Sequence, residues 1–318
     1  MSVYKYFTQK NCKLETMKNP TYWKKHYVVH GNADEIERNI KSASFTSGRQ
    51  NFELVYFETS KNAPNILISE GSGGHAYVFA ELGYLIYLRG YNVFIMPKHG
   101  GYTIQELVQR HRDALSHIAE SYDNRIGVFA EGLGGFAVFY LTLAGNAPIA
   151  SAVYQNSPAL ITDPEWQKTA IQGKHFLVLL GKLLAKFFPQ FPFPISAYLN
   201  WTGLIDPKEG NRVTEDKLVR EGYLCDPDFD KWYPLKAILS LMTTHPPKSL
   251  AELKTPTMFM VALRGFGGSA YVKYLKDLYA RLPVINKKVM EIDGSVYWML
   301  SHPKEAAEVI TGRFNETL

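Results

Sequence analysis

Only two cysteines, Cys12 and Cys225, stand in 318 residues. They are far apart and neither sits at metal-ligand spacing, which excludes a disulfide framework and argues against a zinc site. No stretch reaches the roughly 18 uninterrupted apolar residues of a membrane span. The N-terminus also lacks the short apolar core and small-residue cleavage site of a secretion signal. Charged residues are sparse at 20%, and no internal repeat, low-complexity tract or nucleic-acid-binding module stands out. Together these absences lead us to expect a protein of the reducing cytoplasm with no membrane span, no nucleic-acid partner and no cofactor. A homodimer is carried as an expectation.

What is present is ordinary for a folded domain except in its rings: 46% of residues are apolar and 14% aromatic. The length suits one α/β domain carrying an insertion. The net charge of +5 sits mostly in residues 1–45, where Lys5, Lys10, Lys13, Lys18, Lys24, Lys25, Arg38 and Lys41 face only Glu15, Asp34, Glu35 and Glu37. Among them lie Tyr4, Tyr6, Phe7, Tyr22 and Trp23. This composition describes a solvated N-terminal arm, residues 1–45, that packs its aromatics on the core.

Periodicity supplies the architecture. Residues 51–58 alternate as a half-buried strand, and 65–70 form a short apolar run. The turn Gly71–Ser72–Gly73–Gly74 follows, then a helical stretch from Ala76 to Arg89 closed by Gly90, and a buried strand at 92–97. Thr103 and Glu106 make a capping box, after which Ile104, Leu107, Val108, Leu115 and Ile118 recur at helical spacing. A strand at 125–130, a glycine turn, a helix over 136–144 and a strand at 150–155 continue the series. Alternation of this kind predicts a mostly parallel sheet with helices on both faces. From about Pro158 to Pro247 the rhythm stops in a mostly helical insertion. It holds Phe176, Phe187, Phe188, Phe191, Phe193, Trp201, Tyr223, Trp232 and Tyr233, and the larger apolar rings are too many to be all on the surface. The pattern resumes at 255–263, with a helix at 269–281, a strand at 288–292 and a last helix at 303–314.

The glycine turn is the most informative segment. Ala130–Glu131–Gly132–Leu133–Gly134 runs from strand to helix with glycines where positive φ and close packing are needed. Taken alone, it is either a glycine-rich strand-to-helix turn, a phosphate loop, or the G-x-S-x-G turn of a serine hydrolase with glycine in place of serine. The order of the surrounding parts resembles the α/β-hydrolase superfamily over roughly residues 50–318. That resemblance implies a core at 46–157 and 248–318, with a helical cap at 158–247.

In that superfamily a nucleophile, an acid and a histidine follow one another along the chain. The resemblance places the first at Gly132. The second falls on Gly265, in Ala262–Leu263–Arg264–Gly265 where relatives read G-x-x-D. The third falls on Tyr297, in Asp293–Gly294–Ser295–Val296–Tyr297–Trp298 ahead of His302–Pro303. All three chemical identities are missing, so no acyl-enzyme can form at Gly132. The oxyanion turn is better kept: Glu70 replaces the relatives' histidine, and the backbone amides of Ser72 and Leu133 are implied to point into the pocket. Gly71, Ser72, Gly132, Leu133 and Tyr297 are the expected ligand contacts.

Tyr297, Glu131 and His75 are the candidates for remaining acid-base work. Each has a plain structural alternative: a core aromatic, a carboxylate bonded to backbone, and a helix-start histidine, respectively. Glu70 carries the same two alternatives as Glu131, and His99 is expected to be a packing residue. Two functions follow. One is an atypical enzyme, hydrolytic or lyase-like, acting on a small apolar carbonyl or ester-like compound. The other is a pseudo-hydrolase that binds a small apolar ligand or a protein partner without catalysis.

Overall fold

In the computed structural model the described residues are 21–122, 125–171, 175–194, 226–264 and 268–318. Gly265, Trp201, Tyr223, Cys12 and Cys225 lie outside them. The strands are β1 (Lys41–Ser47), β2 (Gln50–Phe57), β3 (Asn65–Ser69), β4 (Asn92–Ile95), β5 (Ile126–Glu131), β6 (Ile149–Gln155), β7 (Pro192–Pro194), β8 (Trp232–Pro234), β9 (Thr257–Ala262) and β10 (Lys287–Ile292). Eight of them form one sheet in the order β1-β2-β4-β3-β5-β6-β9-β10. β1 and β2 pair antiparallel, β2 runs antiparallel to β4, and every pair from β4 through β10 is parallel.

The central parallel strands are mostly apolar because helices cover both faces, whereas the edge strand β10 keeps Lys287, Lys288 and Glu291 toward solvent. Every residue of β3, β4 and β9 is buried. Helices 80–87, 104–121, 132–144, 268–281 and 303–317 make the crossovers and the C-terminal cover. The capping box is formed, with the Thr103 hydroxyl accepting from the Glu106 amide and the Glu106 carboxylate accepting from the Thr103 amide. The helix after the glycine turn starts at Gly132 itself, four residues earlier than its side-chain pattern predicts. Glycines hide the first turn from a reading based on apolar spacing.

Two sequence expectations need correction. β1 begins at Lys41, so the boundary drawn at 45 cuts a strand of the main sheet. Its sequence, KSASFTS, is a polar edge strand that buries only Phe45 and Ser47, too little to register as a period-2 pattern. In the part of the arm that is described, Trp23 and Tyr27 are buried, and Trp23 stacks on Tyr77 at 5.5 Å.

The second correction concerns the insertion. It contains helices 164–171, 175–187 and 235–243, with the antiparallel pair β7 and β8 between the last two. Many of its large rings are outside: Phe176, Phe187, Phe188, Phe191 and Trp232 are exposed, Phe193 and Phe229 are half-buried, and Trp166 and Tyr233 are buried. The physical reason is local. Helix 175–187 approaches helix 235–243 through Gly181, where an added Cβ would lie 3.2 Å from Leu239. Val178 and Ala185, which share that side at helical spacing, are half-buried, so the small face is turned inward. Among the described residues, no helix is long and apolar enough to cross a membrane.

Candidate functional site

At the carboxyl ends of the central parallel strands, two glycine turns meet. β5 passes directly into helix 132–144 at Gly132, whose φ of +48° is a conformation that side chains rarely adopt. A Cβ placed there would lie 3.1 Å from the Gly71 Cα and 3.8 Å from the Ser72 amide nitrogen. The turn after β3 therefore sits against the apex of the turn after β5. A hydrogen bond locks the two together, as the Gly134 amide donates to the Glu70 carbonyl at 3.0 Å. Leu133, buried in the first turn of the helix, lies within this junction.

Two carboxyl groups flank it. Glu131 extends over Gly71, so closely that a side chain at 71 would run into its carboxyl oxygens. Burial pushes the Glu131 carboxyl up to about 8, against a hydrogen bond from the Gly71 amide that favours the charged form. The residue keeps an edge on solvent while the carboxyl itself is enclosed. Glu70 is fully buried, and burial raises it well above the usual carboxylate range despite the His99 amide donating to its Oε1 at 3.0 Å. Its Oε2 has no hydrogen-bond partner among the described residues. Glu131 is thus largely protonated at neutral pH, and burial shifts Glu70 in the same direction, away from a pair of negative charges at the junction.

Tyr297 is buried just before the short helix 298–301, its amide donating to the Ser295 hydroxyl at 3.2 Å. Burial raises its phenol well above the ordinary value, and nearby Glu131 adds to the effect once its carboxyl is ionised. Two of the expected candidates, Tyr297 and Glu131, are thus electrostatic neighbours. His75 is committed elsewhere. Its Nε2 lies 2.9 Å from Asp226 Oδ2, which also accepts from the Tyr27 hydroxyl at 2.6 Å. Burial works to raise Asp226, but His75, Tyr27 and the Asp228 amide together hold it below its usual value.

Several residues at this junction were invisible to sequence patterns. Residues 226–234 lie across the glycine turn: the Phe229 ring occupies the space a side chain at Gly73 would need, and the Asp230 amide donates to the Gly73 carbonyl at 2.9 Å. The Lys98 ammonium reaches the Asp228 carbonyl. Tyr233 is buried with its hydroxyl beside Ser72 and Gly73, without a hydrogen bond of good geometry to either. Tyr271, whose hydroxyl donates to the Asn156 carbonyl at 2.6 Å, is raised well above its ordinary value chiefly by burial, with Tyr274 and Glu131 as lesser contributors. Only the crowding of aromatics in the insertion hinted at such contacts, and nothing in their spacing assigned them.

Below the junction a hydrogen-bonded chain sets the protons. His111 Nδ1 is 2.7 Å from the Leu107 carbonyl, so it carries the hydrogen and leaves Nε2 to accept from the Ser69 hydroxyl at 2.6 Å. Ser69 in turn accepts from His99 Nε2 at 3.0 Å. Burial lowers both imidazoles, His111 to about 4, so both are neutral here. His99 is a packing residue in this arrangement. His302 precedes helix 303–317, its Nδ1 2.9 Å from the Ser301 hydroxyl. Among the described residues no group of three or more His, Cys, Asp or Glu side chains is placed to hold a metal ion.

The sheet order, the parallel core and the strand-to-helix turn at positive φ define the α/β-hydrolase fold. Comparison with solved structures bears this out. A monoacylglycerol lipase from Paleococcus ferrophilus superposes with a TM-score of 0.60 at 16% identity, covering 86% of this chain and 99% of that one. A soluble variant of the monoglyceride lipase of Saccharomyces cerevisiae gives 0.64 at 15% identity, with 92% and 98% covered. A thermophilic esterase from Thermogutta terrifontis gives 0.56 at 12% identity, with 87% and 98% covered. At such identities the likeness is one of fold. Neither a protein-family model nor a curated protein sequence matches the chain.

Proposed function

We propose that this chain is an α/β-hydrolase-fold protein whose nucleophile, acid and histidine positions are Gly132, Gly265 and Tyr297, and that it acts as an atypical enzyme on a small apolar carbonyl or ester-like compound. The observation that carries this is the junction of the two turns. Gly132 at positive φ brings the apex where a nucleophile would stand against the Gly71 backbone, the Ser72 amide lies beside it, and a carboxyl raised to about 8 stands next to it. The lipases and the esterase named above favour an ester-like compound as the substrate class.

A substrate carbonyl at the apex has its oxygen held by the Ser72 and Leu133 amides, which stabilise negative charge as it develops. Water attacks the carbonyl carbon while Glu131, protonated below about pH 8, donates a proton to the carbonyl oxygen and its carboxylate takes one from the attacking water. The same carboxyl then passes a proton from the tetrahedral adduct to the departing alcohol, leaving acid and alcohol as products. The Tyr297 phenol, held neutral by burial, serves as a second donor. Amide donors and binding without a triad give roughly 10³–10⁴-fold over water, so the rate is slow. Turnover of short p-nitrophenyl esters by the full chain tests this. The expected result is slow turnover that Glu131→Gln lowers about tenfold or more. Ordinary hydrolase rates, or a Glu131→Gln variant as active as the parent, would refute it.

One observation favours a second function, a binder without catalysis. Residues 226–234 lie over the glycine turn and His75 is tied to Asp226, so the groups nearest the turn already have partners. Saturable binding of a small apolar ketone with no turnover would select that function.

A further inference from the structure

Helix 175–187 is built inside out for a water-soluble surface. Its inward side is the small one: Gly181 meets Leu239 of helix 235–243, where an added Cβ would already sit tightly at 3.2 Å, and Val178 and Ala185 on the same side are half-buried. Its outward side carries Phe176 (72% exposed), Leu179 (66%), Leu183 (53%) and Phe187 (71%), with Leu180 and Leu184 beside them. These positions recur at the three- and four-residue intervals that make one helical face. Phe188 and Phe191 extend the apolar surface past the helix end, and Trp232 points away from the core on the following strand pair, opposite Pro194. The exposed apolar area is on the order of 900 Å², well beyond the roughly 300–600 Å² of the largest patch on a typical monomer.

Charge identifies what covers it. Lys182 and Lys186, four residues apart and exposed, run along one flank of the apolar face. From Trp166 to Pro194 there is no aspartate or glutamate. A second copy of this chain would bring the same lysines and no acid to meet them, so charge opposes self-association through this face. A protein partner would have to supply both the apolar groove and the acids. An anionic lipid surface supplies both at once, acyl chains for the rings and leucines and headgroups for the lysines.

We propose that the outward face of helix 175–187, with Phe188 and Phe191, docks flat into the headgroup and acyl boundary of an anionic lipid bilayer. At about 20 Å long the helix lies along the surface and does not span it. Lys182 and Lys186 set the preference for negative headgroups, and the inward small face keeps the helix fixed to the rest of the molecule. This docking stands independently of the chemistry proposed at Gly132.

Flotation of the full chain with vesicles tests it, using phosphatidylcholine alone and equal parts phosphatidylcholine and phosphatidylserine. The expected result is binding to the mixed vesicles that exceeds binding to the neutral ones and weakens with salt. Leu179→Glu with Leu183→Glu lowers it at least tenfold, and Lys182→Glu with Lys186→Glu removes the preference for phosphatidylserine. All four side chains are exposed on the helix, and the lysine pair keeps the test decisive if the leucine pair lowers the thermal midpoint. Failure to float with either vesicle overturns the proposal. So does a dimer in solution that the leucine pair dissociates while the parent ignores vesicles, because the face would then belong to a second copy.

Discussion

Glu131→Gln is the most revealing single substitution, because it separates the cost of the enclosed carboxyl from everything else that titrates. The carboxyl moves from 4.5 in the unfolded chain to about 8 in the folded one. A group raised on folding stabilises fully below its unfolded value and loses that contribution as pH rises through its folded value. The displacement has an upper bound of roughly 5 kcal/mol at about 1.4 kcal/mol per pH unit. With the edge of the residue on solvent, about 2 kcal/mol is the working figure. Glutamine keeps an oxygen for the Gly71 amide and cannot ionise. Urea unfolding at pH 5, 7 and 9 should therefore show the two proteins nearly equal at pH 5 and the variant more stable by about 2 kcal/mol at pH 9. Parallel stability curves across that range, or a variant less stable than the parent at pH 9, would refute the enclosure of Glu131.

Two further substitutions probe the frame. Gly134→Ala puts a methyl against the Glu70 carbonyl and the Ser69 backbone, where neither can yield, and should cost about 2–4 kcal/mol by thermal or urea unfolding. Asp226→Asn removes the charge that His75 and Tyr27 share. It should cost about 2–3 kcal/mol at neutral pH. Because the folded value of Asp226 is depressed, that contribution is present above its ordinary value near 3.8 and disappears as pH falls through the lower folded value. The gap between parent and Asp226→Asn should accordingly close in acid, which unfolding at pH 3 against pH 7 would check.

Most of the frame was legible because buried parallel strands are apolar on both faces and their connecting helices carry caps and period. β3, β5 and β9 announce themselves in this way, as does the capping box at Thr103. β1 did not, since an edge strand of serines and lysines needs only Phe45 and Ser47 inward. In the site, the backbone half was readable: glycines at 71 and 132 mark where chains must approach closely, and the structure places them 3.1 Å apart once a Cβ is imagined at 132. The side-chain half was not. Asp226, Phe229 and Tyr233 reach the glycine turn from more than 150 residues away, and Tyr27 joins Asp226 across 199 positions. No local period records such contacts. Which rings of helix 175–187 are exposed was not readable for a related reason. Amphipathic spacing says that a helix has two faces, but which face turns inward was decided by Gly181 meeting Leu239.

The central claim is a hydrolase frame with no covalent nucleophile at its turn. Intact-mass measurement after exposure to a fluorophosphonate probe, which forms a stable bond with an activated serine, tests it most directly. The full chain should keep its unmodified mass, and only a variant carrying Gly132→Ser, Gly265→Asp and Tyr297→His should gain the adduct. Stoichiometric labelling of the unmodified chain, on Ser72 or any other serine at the junction, would contradict it.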